Sequence, residues 1–379
     1  MSLQAIMKEN NSLLHQIYDT RFFTFWKGYE SHKDDEDFLK GWNASGLALI
    51  FNNTSVLACA HTGYIQSNNT IENFDIEALQ KLLDELNNKA LFIPWIKIRG
   101  LSVGKIPLII KLLSQYNFYN KLIIEVNQPL AKYEDNVEYH IHCSLSEVNR
   151  NIYPNIKYFI TLNPSDLKCD PSIIRDDIEL SFNDSIKWND NELEQIKAFV
   201  TKYMDIRYGD NLELFLVDFV QQRHVISTPL VNHGVIKCDA QNAVSILVPK
   251  EELIICPLLD PIRHRLGKID NGGITSYGNP GLAIRNFTDN NIIATPKCDI
   301  CPYARFCKQQ CLANQNAYNN DPYIPKDNYC EVFKATFKAI ADYCYAHDFV
   351  KTFNIIALQM HDTEINAFIN FIKEVHFNG

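Results

Sequence analysis

Apolar positions return along this chain in two rhythms. Short runs at Leu47 to Phe51 and Ser55 to Cys59 predict strands, as do Leu91 to Ile98, Lys121 to Val126, Glu138 to Cys143, Lys157 to Leu162 and Leu212 to Val220. Between them the period lengthens. Asp75 is placed to cap a helix whose Leu79, Leu82, Leu83 and Leu86 recur at helical spacing. Ile106, Ile109, Ile110 and Leu113 mark a second helix, and Asn191 to Met204, with Leu193, Ile196 and Val200 inward, a third. Strands separated by helices predict an α/β fold with a parallel sheet of strand–helix–strand units, closed into a full or partial barrel. Ahead of this block, residues 1–43 predict a helical segment around Leu13 to Trp26, with Phe22, Phe23, Phe25 and Trp26 suited to docking on the barrel. An acidic loop follows at Asp34-Asp35-Glu36-Asp37.

The rhythm stops after about residue 225. Residues 226–335 are rich in Gly, Pro, Asn and Cys and show little helical periodicity. Their clearest local signal is a β-hairpin: Val244 to Val248, a turn at Pro249-Lys250-Glu251, then Leu253 to Ile255. Helical spacing returns over 331–350, with Phe333, Phe337, Ile340 and Cys344 on one face, and again from Thr363 to Val375. The expected organisation is a helical segment (1–43), a barrel (44–225), a cysteine-rich unit (226–335) and C-terminal helices (336–379). A loop-rich unit of this kind needs something besides a core to hold it, and bound metal is the obvious candidate.

Composition narrows the function. The chain has 379 residues, 46% of them hydrophobic and 21% charged, as in ordinary globular proteins. Its formal net charge is −9 and it has no Lys/Arg-rich block, which argues against a nucleic-acid partner, since phosphate neutralisation needs a basic face. No apolar run reaches the length of a membrane span. The N-terminus is amphipathic and acidic early, unlike a signal peptide, so the expected location is the cytoplasm, where thiols stay reduced. Eleven cysteines in a reducing compartment suggest ligands before disulfides.

Their spacing supports this. The run is Cys298-x2-Cys301-x5-Cys307-x3-Cys311, then eighteen residues and Cys330, while Cys238 and Cys256 flank the hairpin, which could bring both thiols to one end. Thiolates at such gaps suit an iron–sulfur cluster or tetrahedral zinc. Four of the seven close one site and three nearly close a second. A single zinc would leave three over. Two iron–sulfur clusters would use all seven and leave one coordination position to another residue, a substrate or solvent. A closed metal site that only folds the loop-rich unit is the alternative.

The order of these cysteines resembles the SPASM domain, the C-terminal extension of many radical S-adenosylmethionine (SAM) peptide-modifying enzymes. Glu251 stands where that pattern has Gly. The resemblance implies an outer [4Fe–4S] auxiliary cluster on Cys298, Cys301, Cys307 and Cys330, and an inner one on Cys238, Cys256 and Cys311. His233 is a candidate fourth inner ligand, or a surface-loop histidine. Upstream, residues 44–225 resemble the family's half-barrel with its SAM machinery broken. The C-x3-C-x2-C loop of the SAM-binding cluster is represented by Cys59, Gly63 and Gln66, neither substitute binding iron well. The Gly-Gly-Glu-Pro loop that holds the SAM amino group is replaced by Arg99-Gly100-Leu101-Ser102. Glu125 and Asn127 resemble residues of the family's third strand. The resemblance implies a degenerate member that kept its auxiliary clusters and acts without SAM cleavage, similar to the SPASM-domain peptide maturase of grasp-with-spasm systems. Its implied partners are a ribosomally made precursor peptide and an ATP-grasp peptide ligase. A redox-active oxidoreductase working with a partner protein, and a zinc-stabilised binding scaffold, remain open.

His140 and His142, two apart on a strand, share a face, and with Cys143 they make either a metal site or a solvated strand face. Cys59 by itself fits a buried small hydrophobe. Arg263-His264-Arg265 form a small basic cluster, suited to a thiolate cluster or a peptide carboxylate, or a plain surface turn. Gly272-Gly273, Gly278 and Gly281 precede no helix and predict turns.

Overall fold

The computed structural model describes residues 46–51, 57–59, 63–65, 76–88, 93–148, 152–175, 177–183, 186–209, 211, 243–248, 252–254, 265–270, 273–276, 301–303, 327–351 and 363–378. The chain opens with β1 (Gly46–Ile50), a small hairpin of β2 (Leu57–Cys59) and β3 (Gly63–Ile65), and α1 (Ile76–Asn88). Then follow β4 (Ile93–Arg99), α2 (Ile106–Leu113), β5 (Tyr119–Val126), β6 (Val137–Cys143), β7 (Ile156–Leu162), β8 (Ile178–Phe182) and α3 (Asp190–Arg207). The second half contributes β9 (Ala243–Leu247), β10 (Glu252–Ile254), β11 (Arg265–Asp270), β12 (Gly273–Ser276), α4 (Asp327–Ala346) and α5 (Thr363–Asn378).

Ten of these strands form one sheet in the order β12-β11-β10-β9-β1-β4-β5-β6-β7-β8. From β9 to β8 every neighbouring pair is parallel, and β9 to β12 turn back on one another as antiparallel hairpins. One face of the parallel part is apolar throughout: Leu49, Ile98, Ile124, Ile141, Tyr158, Ile160 and Leu180 are all essentially inaccessible. Each such side chain taken from water contributes about 1.5–3 kcal/mol. Leu79, Leu83 and Leu86 of α1, and Ile106, Ile109, Leu112 and Leu113 of α2, join the same core. On α2 Leu112 is buried where Ile110 was expected to be, and Ile110 packs only partly.

The expected alternation of strand and helix holds for β1 to β5 and fails beyond it. Among the described residues the connections from β5 to β6, β6 to β7 and β7 to β8 carry no α-helix; the second holds a 3-10 turn at Leu145–Glu147 and the third two, at Pro164–Lys168 and Pro171–Ile173. A crossover of about a dozen residues is enough to return to a parallel start. In place of helices the connections supply single apolar side chains, among them Leu130, Tyr133, Leu145, Val148, Leu167 and Ile174, packed on the core. Tyr133 meets Tyr139 edge-on, with ring centroids 5.0 Å apart. Ser144 with Glu147, and Asn163 with Asp166, form capping boxes that fix two of the turns.

α3 starts at a capping box in which Asn189 Oδ1 accepts from the Glu192 amide at 3.0 Å and Glu192 accepts from the Asn189 amide at 2.8 Å. Phe199 of α3 packs edge-on to Phe182 of β8 at 6.4 Å. α4 lies on α3 and α5 on α4, where Phe337 and Phe371 meet at 5.2 Å. The Tyr343 hydroxyl donates to the carbonyl of Gly209, which closes α3 with a φ of 48°.

The hairpin expected around Pro249 is present as β9 and β10, with Ser245 opposite Ile254. β8 was not legible in the sequence, nor was the β11–β12 hairpin, in which Gly273 is a strand residue opposite Asp270. The predicted helix near Leu13 and the predicted strand from Leu212 lie outside the described residues. No helix among the described residues is long and apolar enough to cross a membrane.

Candidate functional site

β6 reads Val-Glu-Tyr-His-Ile-His-Cys. Alternation turns Val137, Tyr139, Ile141 and Cys143 toward the core and Glu138, His140 and His142 to the other face. Strand register extends that second face. Glu125 lies opposite His140, Lys97 opposite Ile123, Lys157 opposite His140 and Phe159 opposite His142. Four successive strands thus present Trp95, Lys97 and Arg99, then Lys121 and Glu125, then Glu138, His140 and His142, then Lys157, Phe159 and Thr161. Next to them Ala48 and Ile50 of β1 and Ile254 of β10 form a separate buried apolar cluster on the same face.

This polar face is not a solvated one. Glu125, His140 and His142 are only 6%, 8% and 3% exposed, which corrects the solvated strand face considered for the two histidines. Buried charge persists only when paired, and two paired sets are present. Arg99 Nε sits 2.7 Å from Glu125 Oε2, while His142 Nε2–H donates to Glu125 Oε1 at 2.7 Å. Glu138 Oε1 accepts from His140 Nε2–H at 2.7 Å, and Lys121 Nζ lies 2.5 Å from Glu138 Oε2. The two imidazoles flank Phe159, with ring centroids at 5.0 and 5.2 Å.

Burial alone would raise the Glu125 carboxyl. The Arg99 guanidinium, then the His142 hydrogen bond, outweigh it and hold the group well below the usual carboxylate range. Glu138 shows the same contest: burial raises it, and hydrogen bonds from His140 and Lys121 bring it down to about 2. Burial presses His140 down to about 4 despite Glu138, so its ring is neutral at neutral pH. Both carboxylates are therefore ionised inside the protein and their histidines are held as Nε2–H donors. Arg99 is the last residue of β4, and Gly100 follows it at φ 70°, a turn that a side chain would strain. Arg99 and Glu125 thus stand toward the C-terminal ends of parallel strands, where open α/β folds bind ligands.

Cys143 points to the opposite face, where burial, then Glu147, pushes its thiol up to about 12. It is separated from the histidines by the sheet, and the metal group of His140, His142 and Cys143 does not form. Among the described residues no three His, Cys, Asp or Glu side chains converge as for a metal ion.

Of the seven expected thiolate ligands, Cys301 and Cys330 are described and half-buried; Cys238, Cys256, Cys298, Cys307 and Cys311 lie outside the described residues, as does His233. Tyr303, two residues past Cys301, packs edge-on to Phe333 at 6.3 Å, one helical turn beyond Cys330 on α4. Burial, then the neighbouring Cys301, pushes the Tyr303 phenol up to about 12. An open groove of about 590 Å3 between α3 and α4 reaches Cys301, lined among others by Lys197, Glu331 and Lys334. The Tyr303–Phe333 contact brings the 301–303 segment against α4. In the β9–β10 hairpin the antiparallel register sets the start of β9 and the end of β10 at the same end.

No protein-family model and no curated protein matches the chain. Solved structures do. "Native anSMEcpe with bound AdoMet" superposes with a TM-score of 0.50 at 13% identity, over 80% of this chain and 100% of that one. "Native anSMEcpe with bound AdoMet and Kp18Cys peptide" gives 0.50 at 12% identity, over 80% and 99%. The chain has a radical-SAM-like fold. In that fold the polar face of β4 to β7 lines the inside of a partial barrel. The segment after β1, where Cys59, Gly63 and Gln66 take the three positions of the resembled thiolate loop, contains the β2–β3 hairpin, with Cys59 paired opposite Gly63.

Most of the interior network was not legible in the sequence because Arg99–Glu125, His142–Glu125 and Lys121–Glu138 join residues on different strands; Glu138–His140 alone lies within one strand. A signal was nevertheless present: Lys97, Arg99, Lys121, Glu125, Glu138, His140 and Lys157 all fall on one parity of strands whose other parity is apolar apart from Asn120 near the start of β5.

Proposed function

We propose that the protein acts in maturation of a ribosomally made peptide, binding the precursor at the C-terminal mouth of its barrel without cleaving SAM. The fold supports this reading most: an entire chain solved with AdoMet and a peptide superposes on this one. The interior supports it further, since a buried, charge-paired polar network beside an apolar cluster makes a shaped wall for a ligand rather than a packed core.

The donor chemistry of the cysteine-rich unit fits two [4Fe–4S] clusters. Cys298, Cys301, Cys307 and Cys330 would hold one, and Cys238, Cys256 and Cys311 the other. The half-burial of Cys301 and Cys330 on adjoining segments is what such a site needs. When bound, the clusters supply electron transfer or an open iron position. The loop after β1 does not fit a third, SAM-binding cluster: Cys59 is its single thiol, and Gly63 and Gln66 offer no iron ligand of comparable strength. Within the barrel, His142 and Arg99 hold Glu125 ionised, and Glu125 in turn fixes the guanidinium at the strand end. A peptide ligase of the ATP-grasp type is the partner we assign to this function.

Protein purified without oxygen tests the reading. About eight iron and eight sulfide per chain are expected, with no 5′-deoxyadenosine formed from SAM under reducing conditions. Zinc without sulfide would replace it with a zinc-held scaffold, and SAM cleavage would restore an ordinary radical enzyme.

A further inference from the structure

Both interior carboxylates of β5 and β6 are buried and doubly partnered. Glu125 has one oxygen on His142 and the other on Arg99; Glu138 has one on His140 and the other on Lys121. Their negative charge is spent inside the wall. The cations of the same face differ in exposure: the Arg99 side chain is 11% exposed, Lys97 is half-buried, and the Lys121 and Lys157 side chains are 49% and 58% exposed. The other described carboxylates of the face stand well apart from Lys97: Glu179 on β8, four strands away, and Glu252 on β10, three strands away on the other side. A ligand entering the barrel therefore meets positive charge, although the whole chain carries −9.

The charge is focused near β4. Lys97 Nζ lies over the Trp95 ring, 5.8 Å from its centroid. The field of Lys97 acts on both Glu125 and His140, which places it in the same interior. Arg99, one turn of the pleat further toward the mouth, has its guanidinium oriented through Nε by Glu125. A half-buried indole, an ammonium above it and a pre-oriented guanidinium match a short acidic side chain, whose methylenes lie on the ring while its carboxylate meets the cations.

We propose that Trp95, Lys97 and Arg99 form a carboxylate-recognition subsite that selects an Asp or Glu side chain of the bound peptide; this rests on the peptide-binding reading above. The test uses two blocked pentapeptides, acetyl-Ala-Glu-Ala-Glu-Ala-amide and its glutamine counterpart, titrated into the full chain at low salt and followed by tryptophan fluorescence and calorimetry. The acidic peptide is expected to bind about tenfold more tightly than the neutral one, with the difference shrinking as salt rises. Lys97→Met, which keeps the stem over Trp95, and Arg99→Lys, which keeps a cation for Glu125, should each remove most of that preference while circular dichroism is unchanged. Equal binding of the two peptides would overturn the subsite and leave peptide binding standing. A preference that survives both substitutions would overturn the assignment to these residues. Binding of neither peptide would overturn the subsite and count against the peptide-binding barrel as well.

Discussion

Glu125 keeps its charge inside the sheet because two partners meet its two oxygens from strands on either side. Removing one should be costly. Arg99→Leu leaves an ionised carboxylate uncompensated and is expected to lose about 3–5 kcal/mol of unfolding free energy, read by urea denaturation; Glu125→Gln, which stays hydrogen-bonded to His142, should lose less. His140 gives the interior a pH dependence. Its folded value of about 4 lies below the ordinary imidazole value of about 6.5. Between those pH values the unfolded chain binds the proton and the folded one does not, so stability falls as pH drops from about 6.5 to about 4. Glu138, held at about 2, adds a further loss as pH falls from about 4.3 toward 2. His140→Leu should flatten the first segment, by an amount of order 1–3 kcal/mol between pH 7 and 4, and also shrink the second, because Glu138 then keeps only its lysine partners. Alternation in VEYHIHC shows which residues share a face. It does not show that the second face is an interior, because the ion pairs that bury it come from strands many residues away.

The helices and strands that periodicity predicted are largely those observed, and the exceptions have physical causes. β8 is five residues of Ile-Glu-Leu-Ser-Phe and too short to stand out from its turn-rich surroundings. The turn expected at Gly272-Gly273 marks the connection between β11 and β12 but not the two short strands that flank it. The missing crossover helices could not be inferred from the strands, since single apolar residues in a loop carry no period. What replaces helical cover on this side is the layer of α3, α4 and α5, joined through aromatic rings. Phe337 is fully buried between Phe333 at 4.5 Å and Phe371 at 5.2 Å. Phe337→Ala is expected to cost about 3–5 kcal/mol in chemical denaturation, and limited proteolysis should then release α5 first.

At the scale of the whole molecule, the parallel sheet continues without a break into the hairpins of the cysteine-rich half. The seven-cysteine spacing is the sequence feature on which the proposed clusters rest, since ligands close in sequence would need no long-range contact to be recognised. Stripping metal with chelator under denaturant-free, reducing conditions should lower hydrogen-exchange protection in β9, β10 and the first turn of α4, while β4 to β8 keep theirs. Uniform loss across the sheet would mean that the metal holds the entire fold. The placement of β1 also bears on how the chain is made. Gly46 pairs with Ala243, so one side of this central strand stays unpaired until most of the polypeptide has left the ribosome. Loop closure over such a span is slow, and the bare backbone edge is an invitation to pairing with other chains in the meantime. Synthesis of this protein should therefore depend on chaperones more than its ordinary composition suggests, and a chain ended after residue 211 should aggregate with β1 as the contact.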